Sequence, residues 1–117
     1  MPKQYRLSRA DFIRLPKARR RIHGKYFSVT PIPFPALGGP RAACVVSKKI
    51  AARSVDRNRI ERSAREALRP LLAKTRASVA LIVYAKREAL EASPAEVVRD
   101  IEKLLRESAL QDTMPTP

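Results

Sequence analysis

Residues 54–66, SVDRNRIERSARE, place four arginines in thirteen positions and still carry the spacing of a helix. Like charges crowded on so short a rod repel one another. Continued to residue 71, the segment sorts itself cleanly. Ile60, Ala64, Ala67, Leu68 and Leu71 fall within roughly 100° of arc on a helical wheel. Asn58, Arg62, Arg65 and Arg69 gather on another side, with Arg59 beyond them and Arg57 at the margin. Glu61 stands four residues before Arg65, the favourable order for an ion pair of about 0.3–0.5 kcal/mol. Such a helix needs an apolar surface on one side and anions or water on the other. Pro70 is expected to bend or end it.

Strands can supply that surface. SVALIVYA (78–85) is the strongest, with seven of its eight residues apolar or aromatic. RAACVVSK (41–48) reads as a buried strand and YFSVTPI (26–32) as another. The Pro/Gly connection PIPFPALGGP (31–40) is unsuited to helix, and the strands on its two sides are expected to pair antiparallel. A strand, the basic helix and then a strand make a βαβ unit. KARRRIHGK (17–25) is basic and irregular, with room for one short strand.

Two more helices frame these elements. Ser8 and Asp11 can form a capping box, Leu7 and Phe12 a hydrophobic staple, and Phe12, Ile13 and Leu15 an apolar side that stops near Pro16. Ser93, Pro94 and Glu96 open a last helix with N-cap, N1 and N3 residues all suited to their places. Its core stripe is Val97, Val98, Ile101, Leu104 and Leu105. The fold class is therefore α+β: a small α-β-β-β-α-β-α sandwich with helices packed on a mixed sheet. Residues 1–110 form one domain, and 111–117, with two prolines, are expected to be a disordered tail. At 117 residues the chain can bury roughly 65% of its unfolded surface, enough for a core without staples.

The charge narrows the partner. The chain has 25 Lys+Arg against 11 Asp+Glu, a formal +14. Residues 1–70 hold 18 basic and 4 acidic side chains, whereas residues 71–117 hold seven of each. Solubility needs far less, so a polyanion is implied. Most of the N-terminal cations are arginine, whose planar fork meets phosphates and base edges with two hydrogen bonds and stays charged. The face for nucleic acid comprises Lys48, Lys49, Arg53, Arg57, Asn58, Arg59, Arg62, Arg65 and Arg69. Phe12, Tyr26 and Phe27 lie near the basic stretches and are candidates to stack on single-stranded bases, with core packing an equal alternative for each.

Catalysis by the protein has little to work with. Its single histidine, His23, has no Asp or Glu near it in sequence and reads as a surface or turn residue. One His and one Cys cannot assemble a Cys/His metal site. Asp56, Glu61 and Glu66 sit among arginines on one helix as ion-pair partners rather than metal ligands. Gly38-Gly39 lacks the Lys-Ser/Thr of a phosphate loop. Cys44, the lone cysteine, lies in an apolar run and excludes an internal disulfide. With no apolar run of membrane-spanning length and no secretory segment, cytoplasm is the expected compartment and a membrane partner is not expected. Helix-turn-helix binding of DNA needs two consecutive helices, but this basic helix has strands on both sides. A small ribosomal protein shares the size and charge, though such proteins often carry their cations on extended tails.

SKKI (47–50) followed by RNRIERSARE (57–66) resembles the protein subunit of bacterial ribonuclease P. YRLSRADFIRL (5–15) resembles that family's first helix, YFSV (26–29) one strand and SVALIVYAKR (78–87) the last strand. The resemblance implies a sandwich shared with the second domain of a small-subunit ribosomal protein, with an unusual left-handed βαβ crossover. Sequence rules alone favour the right-handed form. It implies an accessory role: a catalytic RNA with its Mg²⁺ ions removes the 5′ leader of precursor tRNA, and the protein binds RNA and leader without supplying catalytic groups. Arg57, Asn58, Arg59, Arg62 and Arg65 match the family's helix, Lys48 and Lys49 its strand end, and Phe12 an aromatic of the leader cleft. Glu61 stands where a lysine is usual, and Pro16 where a second aromatic is often found.

Overall fold

The computed structural model describes residues 3–16, 21–75 and 78–107. The expected tail at 111–117 and most of the basic stretch before residue 21 lie outside the described residues. The order is α1 (Arg9–Arg14), β1 (Ile22–His23), β2 (Phe27–Pro33), β3 (Arg41–Val45), α2 (Ser54–Lys74), β4 (Val79–Ala85) and α3 (Pro94–Leu105). This is the α+β sandwich that the sequence implies, with three α-helices and a mixed four-stranded sheet among the described residues.

The local signals act where they stand. Ser8 Oγ accepts from the Asp11 N–H at 3.0 Å, and Asp11 Oδ2 accepts from the Ser8 N–H at 3.1 Å, closing the box that starts α1. Ser93 and Glu96 do the same for α3. Each box satisfies two N–H groups that a helix start leaves open.

Strand order is β1-β2-β4-β3. β2 and β3 are therefore not partners, contrary to the hairpin expected across residues 31–40. β4 lies between them, antiparallel to β2 and parallel to β3. The reason is burial on both faces: six of the seven residues of β4 are buried, which suits only a central strand. The connection crosses the end of β4, where the Phe34 N–H donates to the Ser78 carbonyl at 3.0 Å. Its Pro35–Leu37 stretch makes a single 3₁₀ turn, closed by Gly38 at φ 71°. Among the described residues β1 pairs only with Ser28 and Val29, so Pro31 and Pro33 have no described ladder partner on that side of β2, the placement a strand proline tolerates.

Alternation splits the sheet into two faces. Phe27, Val29, Val79, Leu81 and Val83 form the main core with Ile60, Ala64, Leu68 and Leu72 of α2 and Val97, Ile101, Leu104 and Leu105 of α3. On the opposite face Ile32, Leu37, Ala80 and Ile82 form a smaller cluster, flanked by Leu7, Leu15, Phe34 and Tyr84.

Three expectations need correction. α2 does not end at Pro70 but runs on to Lys74. Pro70 is exposed, so the carbonyl it cannot serve, that of Glu66, is left on the solvent side. The extra turn makes Leu72 a fully buried residue, while Leu71 is only partly buried. Phe12 and Ile13 do not face the core: they are 39% and 80% exposed, because α1 is one and a half turns long and touches the sheet through its flanking leucines. Val98 of α3 is likewise exposed rather than in the stripe.

Candidate nucleic-acid interface

α2 rests its apolar side on the main core, with Ala64 and Leu68 wholly inaccessible. The outward cations follow from that docking. At 1.5 Å per residue, Arg53 and Arg69 stand about 24 Å apart along the axis. Lys48 and Lys49, expected at a strand end, sit one step further on. β3 stops at Val45, and the turn after it is held by the Ile50 and Ala51 N–H groups donating to the Ser47 carbonyl, each at 3.1 Å.

The structure divides these cations into two groups. Arg57 and Arg59 are engaged with the protein's own backbone. Arg57 Nη1 donates to the carbonyls of Ala51 and Ala52 at 2.9 and 2.8 Å, tying α2 to the turn that carries the lysines. Arg59 Nη2 donates to the Leu90 carbonyl at 2.8 Å, tying α2 to the 3₁₀ stretch Arg87–Glu91. A guanidinium has five N–H donors, so both retain some for a ligand. The side chains of Lys48, Lys49, Asn58 and Arg62 are exposed and make no hydrogen bond or ion pair with other described residues. Arg65 pairs with Glu61 at 3.1 Å, as the i,i+4 spacing implies, whereas Arg69–Glu66 (3.7 Å) and Arg53–Asp56 (4.0 Å) are looser. Exposed pairs of this kind hold little energy and exchange readily for a phosphate.

Of the three aromatics nominated for stacking, only Phe12 has an exposed ring. Phe27 is fully buried in the core. Tyr26 is buried too, and its hydroxyl donates to Glu96 in a short hydrogen bond. Both residues fall where β2 passes under α3, so neither offers a ring face to a base. Sequence reading missed Tyr84 and Phe34. The Arg21 guanidinium lies over the half-buried Tyr84 ring at 3.9 Å, and that of Arg14 over Phe34 at 5.6 Å. The signal available was alternation in β4, which turns Tyr84 to the face opposite the main core.

His23 is exposed on β1. Burial pushes the Cys44 thiol up to about 12, which keeps it protonated and a poor nucleophile. Among the described residues no group of three or more His, Cys, Asp or Glu side chains could hold a metal ion, and no helix is long and apolar enough to cross a membrane.

A cationic helix fixed over its core, and aromatic–guanidinium stacks on the other sheet face, place the molecule in the class of small basic α+β sandwiches. The Ribonuclease P family model matches residues 1–109. A ribonuclease P protein component of Thermus thermophilus is 41% identical over 99 residues, covering 85% of this chain and 56% of its own length. That of Chromohalobacter salexigens is 38% identical, covering 83% and 79%. The solved RNase P protein of Staphylococcus aureus superposes with a TM-score of 0.76 at 26% identity, over 89% of this chain and 94% of that one. The Thermotoga maritima protein shares the fold at a TM-score of 0.72 and 22% identity, over 87% and 96%. The chain belongs to the ribonuclease P protein family. It spans about half the length of the Thermus relatives it matches, 49% for Thermus brockianus and 56% for Thermus thermophilus.

Proposed function

We infer that this chain is the accessory protein of a bacterial ribonuclease P, binding the catalytic RNA and the 5′ leader of precursor tRNA while the RNA cuts. The observation that carries the reading is α2, whose exposed cations stand on a fully buried apolar underside in a chain of net charge +14. Family membership sets it above the ribosomal-protein alternative.

In this reading Lys48, Lys49, Arg53, Asn58, Arg62, Arg65 and Arg69 meet phosphates of the folded RNA, and Arg57 and Arg59 share their donors between RNA and the loops they hold. A single-stranded leader lies on the other sheet face, where Phe12 and the Arg21–Tyr84 stack offer π-surfaces and charge. The chain's own part is to bind and orient two RNA segments relative to each other. Mg²⁺, held by the RNA, supplies the charge stabilisation and activated water for phosphodiester cleavage. The carboxylates on α2 are taken by arginine pairs, and no step of this reading runs through a protein-held ion. Compartment follows the RNA partner, which places the work in the bacterial cytoplasm.

The test is reconstitution. The purified protein by itself should cleave no precursor tRNA, and added to the catalytic RNA it should lower the Mg²⁺ concentration needed for cleavage. Robust cleavage by the protein with the RNA absent would overturn the reading.

A further inference from the structure

The C-terminal part of the chain is electrically neutral in sum, yet it contributes to a second cationic site. Lys25, Tyr26, Glu96, Arg99, Asp100 and Lys103 line an open cleft of about 260 Å³ between α3 and the loop joining β1 to β2. Three cations thus face two carboxylates. Both carboxylates have their oxygens committed to the protein. Asp100 accepts the backbone N–H groups of Lys25, Tyr26 and Phe27, each at 3.0 Å. Glu96 accepts the Ser93 N–H at 2.9 Å on one oxygen and the Tyr26 hydroxyl on the other. Those bonds hold Glu96 down to about 2, so it stays ionised and satisfied.

The cations are less committed. Arg99 makes only a 3.5 Å contact from Nε to the Ala95 carbonyl, and Lys103 none with another described residue. Lys25 lies over the Tyr26 ring at 5.2 Å, and its charge also acts on the Tyr26 hydroxyl and on Glu96, so it is shared between the protein and the cleft. The loop that carries it is fixed from both sides: Asp100 holds its N–H groups, while Lys86 Nζ donates to the Gly24 carbonyl at 2.6 Å and the Lys86 N–H to the Tyr26 carbonyl at 2.9 Å. The backbone that carries Lys25 is therefore in place before a ligand arrives, which lowers the main-chain share of the ordering cost of binding. The volume is below the 300–1,000 Å³ usual for drug-sized ligands, and suits one tetrahedral anion.

We propose that this cleft is a second RNA contact, in which Lys25, Arg99 and Lys103 seat a backbone phosphate away from the arginine face of α2. The proposal rests on the RNA-binding reading above. α3 packs beside α2 and over β2, whereas α2 lies over β3, so the two basic sites flank the helical layer. An RNA that reaches both is gripped across the domain rather than along one helix.

The experiment is the salt dependence of affinity for the catalytic RNA, measured for the whole chain with three double variants. Arg99→Gln with Lys103→Gln empties the cleft of two cations. Arg62→Gln with Arg69→Gln does so on α2. Lys74→Gln with Arg87→Gln removes two exposed charges from neither site. Releasing one phosphate contact flattens the slope of log affinity against log salt by about 0.7–0.9. The first pair is expected to flatten it by at least that amount, with the thermal unfolding midpoint unchanged, and the third by much less. If the α2 pair flattens the slope and the cleft pair does not, the cleft proposal is overturned and the general reading survives. If the cleft pair and the control pair act equally, the effect is overall charge and the site is overturned as well. If neither the α2 pair nor the cleft pair matters, the RNA-binding reading itself falls.

Discussion

α2 and α3 lie side by side on one sheet, and they use charge in opposite ways. α3 starts with a capping box, and its Asp100 is 9% exposed with three backbone N–H partners more than seventy residues away in sequence. α2 follows Arg53, an N-cap with no side-chain hydrogen bond. Apart from Arg57 and Arg59, which bond to backbone carbonyls, and the Glu61–Arg65 pair, its charges stand in water or in loose pairs. A charge that replaces water for buried N–H groups holds the fold, because removing it orphans those donors. A charge left on a solvated helix face contributes little to stability and remains available to a ligand. α3 is fastened by its carboxylates, whereas α2, Arg57 and Arg59 apart, displays its cations.

The sharpest break of this contrast is Ala64→Asp, which puts an unpaired carboxylate where the backing of α2 is wholly inaccessible. Burying a charge without a partner costs more than a small domain can spare, so no cooperative thermal transition should remain. A folded variant would mean that α2 does not rest on that surface. Asp100→Ala comes next, with an expected loss of about 3–4 kcal/mol in denaturant unfolding as three N–H groups lose an ionised acceptor. A loss no larger than that of an average surface substitution would remove the distinction between the helices.

Gly24→Ala probes the same latch from the other side. A Cβ there would stand 2.7 Å from Asp100 Oδ1, and the carboxylate cannot retreat without releasing the loop. About 1–3 kcal/mol of destabilisation is expected, as for other overpacked sites. Acid sharpens the comparison. Glu96 has a folded value of about 2 against an ordinary 4.5, lowered first by the Ser93 N–H and then by the Tyr26 hydroxyl. Its stabilising contribution is therefore complete above pH 4.5 and is lost as pH falls toward about 2. Thermal midpoints recorded through that window should fall less steeply for Glu96→Gln than for the parent chain. The smallest effect on stability belongs to Arg62→Ala, within about 0.5 kcal/mol. That variant should nevertheless weaken RNA binding and flatten its salt dependence, and an unchanged slope would show that Arg62 faces no phosphate.

Much of this molecule is local, and the local part is legible in the chain. Ser8–Asp11 and Ser93–Glu96 cap helices with partners three residues away, so their pattern carries its own geometry. The stripe of α2 and the Glu61–Arg65 pair follow from helical periodicity, and the apolar run of β4 follows from burial on two faces. The arginine face was legible for the same reason: once Ile60, Ala64 and Leu68 must go inward, Arg62 and Arg69 have to go outward.

Tertiary structure decided whatever depends on distant partners. No periodicity distinguishes a hairpin of β2 and β3 from a sheet in which β4 slides between them; the choice was made by β4 needing neighbours on both edges. Tyr26 and Phe27 looked as eligible for base stacking as Phe12 until α3 covered them. Arg57 and Arg59 carry the same side chain as Arg62, and only the positions of the Ala51, Ala52 and Leu90 carbonyls set them apart. Asp100, one acid among eleven, became the clasp of a loop because folding brought three N–H groups to its carboxylate. Backbone period and side-chain polarity are properties of neighbours along the chain, whereas strand order and hydrogen-bond partners exist only after the chain has closed on itself.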